Sequence, residues 1–589
     1  MKLLLTILLI AGASLIGAGR AAAQPDMPGK VEIPFNRYYT PDELNDWIRK
    51  IGAAYPGLVE IKSIGKSLQG REILLAIVNN PETGAHDTKP AMWIDGNIHG
   101  NEVQAAEVVL YTLWYLTKNA GQHEGVDALL KDYSFYLLVC VNPDGRAHWF
   151  DGPNNSSSSR HNARPIDDDR DGQTGEDPDD DLDGDGSITS MWKEDPSGGW
   201  LRSQTDPRVF TRVKPGERGN WTNLGEEGLD NDGDGRINED GPGGDDMNRN
   251  YPGDWQPEYV QFGAGPYPFS APETRAIGDW ILAHPNIAAA QSYHNSGGMI
   301  LRGPGTEQRQ DVYSGEDRRV YDELAQTGEK LLPFYRYLQT FKDLYPVHGG
   351  FTNWTFESLG IFSFVNEMWT PLKYFQRDDT DQPDDERTWI IRDKLMLGQI
   401  FKDYAEFDHP RYGKVLIGGP NKWSSRNTPT FMLEEECHRN FAFTMYHASQ
   451  MPVLEFQRVQ VKPLGDPPAG TASPLWEVTV GIRNLKLIPT RSGRQQSGRI
   501  GLNDLLTATG GKGVSVAAAG RLRRGWYDVA MDPVRHEPER IGVAEGIGPR
   551  EERIFRFIVH GPQGGTLRVR YEAQKAKPVT REIELRVTE

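Results

Sequence analysis

Residues 91–116 read AMWIDGNIHGNEVQAAEVVLYTLWYL. AMWIDG is an apolar run of strand type that enters a loop, and from Val103 apolar residues recur at helical spacing to Leu116. A strand, a polar loop and a helix form the repeating unit of a sheet covered by helices. The neighbours extend the pattern. Thr40, Pro41, Asp42 and Glu43 mark a helix start, followed by Leu44, Trp47, Ile48 and Ile51 at helical spacing. VEIKSIG and REILLAIV read as strands, and SFYLLVCVNPDG as a buried strand with a turn. TRAIGDWILAHPNIAAAQSYHNSGG and GIFSFVNE resume the rhythm, with a helix expected near residues 389–407. The expected fold class is α/β, a mixed, mostly parallel sheet flanked by helices.

Two regions break the pattern. Residues 165–246 are rich in Asp, Gly and Pro with little apolar periodicity, and read as an inserted acidic loop. Residues 166–185 hold eleven Asp/Glu against one Arg, and residues 226–246 nine against one. These two stretches equal the whole net charge of −18, so no basic face remains for nucleic acid. From residue 452, VLEFQRVQVKPL, LWEVTVGIRN, GWYDVAM, RIFRFIVHG, TLRVRYEA and REIELRVTE read as the short strands of an all-β sandwich. The expected division is a signal peptide at 1–23, an α/β domain at 24–408, a connector with a helix at 409–451 and a sandwich at 452–589. The start, MKLLLTILLIAGASLIGAGRAAAQ, has one Lys, an apolar run and small residues suited to cleavage after Ala23. The expectation is an exported protein, periplasmic or secreted, with no stable membrane insertion once the signal is removed. Cys140 and Cys437 are the only cysteines and are expected to be free.

The chemistry gathers at strand ends. His99 and Glu102, three apart in HGNE, are good zinc ligands, although such a pair alone more often describes a loop His with a helix-capping Glu. His294 ends AAAQSYH and can complete a three-ligand site that leaves the fourth position to water. Glu367 ends GIFSFVNE, where desolvation suits a general base.

Together these motifs resemble the zinc metallocarboxypeptidases of the carboxypeptidase A superfamily (peptidase family M14), over roughly residues 38–407 without the acidic insertion. YYTPDEL, YPGLVEIKSIGKSLQGREI, HGNE and NPDG carry the likeness, as do MNRNYP and YPVHGGFTNW. The resemblance implies zinc on His99, Glu102 and His294, with Glu367 as general base. It implies a terminal-carboxylate grip by Asn248 and Arg249, and a mobile Tyr345 that closes over substrate. Arg160 is the best match to the family's oxyanion arginine and Arg164 the second. Ser159 stands where the family usually has Trp, and Asn295, Ser296 and Gly297 replace an aromatic after the third ligand. Thr352 falls at the base of the specificity pocket, where a neutral residue implies neutral or apolar terminal side chains. The implied partner is a peptide or protein with a free C-terminus. The alternatives are a cell-wall peptide amidohydrolase or endopeptidase of the same fold, and a silent peptide-binding module, disfavoured because His99, Glu102, His294 and Glu367 are all present. The sandwich is assigned no role.

Three D-x-D-x-D-G copies punctuate the insertion: Asp167/Asp169/Asp171, Asp181/Asp183/Asp185 and Asp230/Asp232/Asp234. Alternating carboxylates before Gly suit calcium. The twelfth position, a bidentate Glu in such loops, holds Pro178, Trp192 and Gly241, with Glu176, Asp177, Glu239 and Asp240 as substitutes. The insertion is expected to border the substrate cleft, with structural calcium ordering it.

Overall fold

A computed structural model describes residues 28–167, 171–204, 206–238, 243–376, 390–465 and 474–587. The expected signal peptide and Asp169, Glu239, Asp240 and Gly241 lie outside these residues.

The strands of the main sheet alternate between two apolar clusters. They are β1 (Val59–Lys66), β2 (Glu72–Val78), β3 (Ala91–Gly96), β4 (Ser134–Leu138), β5 (Ile287–Asn295), β6 (Met299–Arg302), β7 (Arg336–Gln339) and β8 (Phe362–Met368). In β2, Leu74, Ala76 and Val78 enter one cluster while Ile73, Leu75 and Ile77 enter the other. Burial on both faces is why these strands read as nearly continuous apolar runs. Helices Pro41–Ala54, Gln104–Asn119, Gly315–Leu331 and Leu433–Ser449 cover the first face. Pro272–Ala283 and Phe351–Leu359 cover the second. Thr40 starts the first helix with a capping box: its hydroxyl accepts from Glu43 N at 3.3 Å and Glu43 Oε2 accepts from Thr40 N at 2.9 Å.

The sheet order is β1-β2-β4-β3-β5-β8-β6-β7. β4-β3, β3-β5, β5-β8 and β6-β7 are parallel and the other pairings antiparallel, so the sheet is mixed and mostly parallel as expected. Because β3, β5 and β8 are adjacent and parallel, their C-terminal ends share one sheet edge, where ligands collect in open α/β sheets.

The insertion differs from the expected loop. Strands Ser190–Glu194, Trp200–Arg202, Phe210–Arg212 and Trp221–Glu226 join Phe401–His409 and Gly413–Pro420 in a six-stranded antiparallel sheet. Its short strands carry no long periodicity. They are held by aromatics instead, Trp192 stacking on Phe210 at 3.9 Å with Trp200, Trp221 and Tyr404 at their edges. The helix expected near 389–407 is corrected too. A short helical turn, Ile390–Leu395, precedes the strand Phe401–His409, and residue 389 lies outside the described residues. Phe401, Tyr404 and Phe407 imitate helical spacing because a register shift between Lys402 and Ala405 moves the strand's alternation by one residue.

Residues 454–584 form two antiparallel sheets around a shared apolar cluster. The first contains Leu454–Pro463, Leu475–Asn484, Glu552–His560, Ser515–Leu522 and Asp532–Pro533, and the second Arg540–Val543, Asp504–Gly510, Thr566–Ala573 and Ala576–Glu584. GWYDVAM is a turn rather than a strand, with Tyr527 97% and Val529 95% exposed, so these apolar side chains have no sheet face to fill. Leu487 and Ile488, from the sandwich side, are buried in the α/β core. Asp317 accepts from Gly493 N at 2.9 Å and Arg494 N at 3.0 Å across the same seam. Cys140 and Cys437 are free. Among the described residues no helix is long and apolar enough to cross a membrane.

Candidate active site

The loop after β3 is built to present two donors. Asn97, at φ 61°, turns the chain out of the strand, and its Nδ2 donates to His99 O at 2.7 Å. Gly100 packs so tightly that a Cβ there would lie 2.2 Å from Ser159 O and 2.4 Å from Gly145 C. From behind, the buried Arg146 donates through Nη1 to Asn97 Oδ1 at 2.9 Å and Val103 O at 2.7 Å, and its Nη2 pairs with Glu107. Glu102 then lies one turn from His99, immediately before helix Gln104–Asn119. β5 delivers His294, and β8 sets Glu367 beside it in register.

His99, Glu102 and His294 are buried and converge. His99 Nδ1 is 2.9 Å from Glu102 Oε1, His294 Nδ1 is 3.0 Å from Glu102 Oε2, and the two Nδ1 atoms are 3.2 Å apart. Zinc bonds of about 2.0–2.1 Å give a tetrahedral edge of roughly 3.3 Å, so this N, N, O donor set fits the ion. Burial alone would raise the Glu102 carboxyl, but His99 and His294 outweigh it and hold it well below the usual range. Burial, with Glu102 nearby, pushes Glu367 up to about 7.

Asp246 ties the site together, and the sequence reading passed over it. Its Oδ1 meets His99 Nε2 at 3.0 Å and accepts from Asn248 N at 2.9 Å. Its Oδ2 accepts from Arg160 Nε at 3.1 Å and Nη2 at 2.9 Å, and lies 4.0 Å from Arg249 Nη2. Against the cost of burial, Arg160, Arg249 and His99 hold its carboxyl well below the usual range. One carboxylate thus orients an imidazole of the candidate metal site and fixes two arginines. The available signal was its place two residues before Asn248, at the end of an acidic stretch easily read as solvated surface.

A cavity of about 200 Å³ opens over this centre, lined among others by Arg160, Asn248, Arg249, Tyr345, Thr352 and Glu367. Arg160 Nη1 lies 3.4 Å from Glu102 Oε1, whereas Arg164 is spent on Asp245 at 2.8 Å. Asn248 Oδ1 accepts from Phe351 N at 2.9 Å, anchoring the start of helix Phe351–Leu359. Arg249 Nη1 donates to Asn248 O at 2.8 Å. Gly349, at φ 65°, lets the chain pass where a Cβ would sit 2.1 Å from Arg249 O. Tyr345, 46% exposed, stands at the mouth. Thr352 shares its wall with Met299, Leu301, Val347 and Val365.

A family model described as zinc carboxypeptidase matches residues 44–198 and 214–390, more than half of the chain. The chain belongs to the zinc carboxypeptidase family. Residues 453–584 of this zinc carboxypeptidase family member match a second model, a domain of unknown function (DUF8731). Carboxypeptidase D of Mus musculus is 33% identical over 135 residues, 23% of this chain but only 10% of that protein. Carboxypeptidase A1 of Mus musculus is 23% identical over 368 residues, 60% of this chain and 68% of that one. A crystal structure of thrombin activatable fibrinolysis inhibitor aligns with TM-score 0.43 and 18% identity, covering 72% of this chain and 79% of that chain.

In the insertion, Asp181 and Asp183 meet Glu227, and Asp230, Asp232 and Asp234 form a second group. Glu227 was missed: it comes from 46 residues beyond Asp181, where no local spacing rule reaches. Its carboxylate accepts from Leu182 N at 3.0 Å and Thr189 N at 2.7 Å. Asp185 and Asp230 are instead paired with Lys402 at 3.4 Å and Arg411 at 2.8 Å from the added hairpin. Asp167 Oδ2 and Asp171 Oδ1 accept local backbone N–H groups at 3.1 and 2.7 Å.

Proposed function

We propose that this protein is an exported zinc carboxypeptidase that removes neutral or apolar residues from free peptide C-termini. The observation that carries the reading is one cavity lined by His99, Glu102, Asn248 and Arg249, with buried His294 joining the first two as a third donor. Arg249 offers a planar fork and Asn248 its amide to the terminal carboxylate, which restricts the enzyme to chain ends. The terminal side chain enters between Thr352 and the apolar wall of Met299, Leu301 and Val365. Zinc on the three donors would supply a Lewis acid to polarise the scissile carbonyl and acidify water. Glu367 takes the proton of the attacking water and returns one to the leaving amine. Arg160 meets the oxygen on which negative charge develops, its guanidinium aimed beforehand by Asp246. Tyr345 closes the mouth over the bound residue.

Calcium ordering of the insertion is part of the proposal, with Asp181, Asp183 and Glu227 as one group of oxygen donors and Asp230, Asp232 and Asp234 as another. The deciding experiment incubates zinc-loaded protein with matched peptides bearing free or amidated C-termini. Stepwise loss of residues from the free-ended peptide alone is expected. Cleavage of both would overturn the exopeptidase reading in favour of an endopeptidase or amidohydrolase.

A further inference from the structure

Three guanidiniums line the cavity, and the proposed reaction uses two. The third, Arg426, lies beyond residue 390, outside the zinc carboxypeptidase match. It arrives on the chain returning from the hairpin that pairs with the insertion. The next two residues stitch it to the metal loop: Asn427 Nδ2 donates to Asn101 O at 3.0 Å, and Thr428 Oγ1 to Gln104 Oε1 at 2.5 Å. Arg426 Nε donates to Ser156 O at 3.0 Å and Nη1 to Asn295 O at 3.2 Å.

Both acceptors are neutral carbonyls, and a guanidinium has five N–H donors. Among the described residues the nearest carboxylate, Glu102, is 3.8 Å away and is already engaged by His99 and Arg160. Arg426 is therefore a cation held at a wall of the cavity without a bidentate carboxylate among the described residues. Arg426 reaches the donors at Glu102, whereas Arg249 reaches them through Asp246 and His99, so the two guanidiniums approach the centre through different residues. Both line the cavity in which a peptide held by Arg249 would place the residue before its scissile bond.

We propose that Arg426 is a specificity-determining residue that pairs with a carboxylate on the substrate residue immediately upstream of the scissile bond. This rests on the carboxypeptidase reading. The enzyme then reads two positions, a neutral or apolar terminal residue and an acidic one before it.

The test compares acetyl-Ala-Ala-Glu-Phe with acetyl-Ala-Ala-Gln-Phe on the full chain, using wild type, Arg426→Gln and Arg426→Lys. Wild type is expected to favour the Glu peptide in kcat/KM by about 10–100-fold, the worth of a charge-assisted hydrogen bond. The ratio should fall toward one in Arg426→Gln and be intermediate in Arg426→Lys, which keeps the charge but loses the fork. A wild-type ratio near one, or an undiminished ratio in folded Arg426→Gln, overturns the proposal. Cleavage of the Gln peptide at a ratio of one would leave the carboxypeptidase reading standing. If neither peptide is cut, calorimetric Kd values for both on metal-free wild type decide: tighter binding of the Glu peptide supports the pairing and equal binding overturns it.

Discussion

Asp246 is the residue on which the site turns, since it holds the His99 imidazole of the candidate metal site and the Arg160 guanidinium proposed to meet the oxyanion. Asp246→Asn should weaken zinc binding by about 10–100-fold, measured by competition with a chromophoric chelator. It should also slow turnover at saturating zinc, because Arg160 loses the nearer of its two carboxylate partners. Glu367→Gln removes the proposed proton acceptor and should lower kcat by about 10²–10⁴-fold while peptide binding, followed by calorimetry, persists. Arg249→Gln should act through recognition: the difference between free and amidated peptides shrinks, chiefly by loss on the free-ended one. The candidate metal donors His99, Glu102 and His294, and Glu367 beside them, were legible because each sits beside a recognisable strand. Asp246, Glu227 and Arg426 were not, because each reaches its partners across a distance that no local pattern encodes.

At the scale of elements, the main sheet announced itself because both faces are buried and its strands are continuously apolar. The added sheet did not. Its strands in the insertion are three to six residues long, and their pairing is fixed by aromatic side chains rather than by alternation. The bulge after Lys402 further gave a strand the spacing of a helix. This sheet carries its own prediction. If calcium seats at Asp181, Asp183 and Glu227, added calcium should slow proteolysis of the insertion, and Glu227→Gln should abolish the protection. Identical digestion of wild type with calcium and with chelator would remove calcium from the account. In the loop that leaves the main sheet after β3, Gly100→Ala forces a Cβ into Ser159 O and Gly145 C and should destabilise by about 1–3 kcal/mol, read from denaturant midpoints.

For the molecule as a whole, the seam between the α/β core and the sandwich is apolar as well as hydrogen-bonded. Leu487 and Ile488 are side chains of the α/β core supplied from beyond the connecting helix. Calorimetry should therefore show the two bodies unfolding together. Ile488→Ala should lower that single transition by about 2–5 kcal/mol rather than release one half.

The pairing of Met191 with Ile417 also sets a schedule. A ribosome adds about 5–20 residues per second, so Ile417 emerges roughly 10–45 s after the strand it must join. Through that interval the strand Ser190–Glu194 has an open edge of the kind that invites association between nascent chains. The carboxylates on either side of it make neighbouring chains repel one another during the wait. That repulsion follows from the sequence alone and acts before any substrate or ion is met.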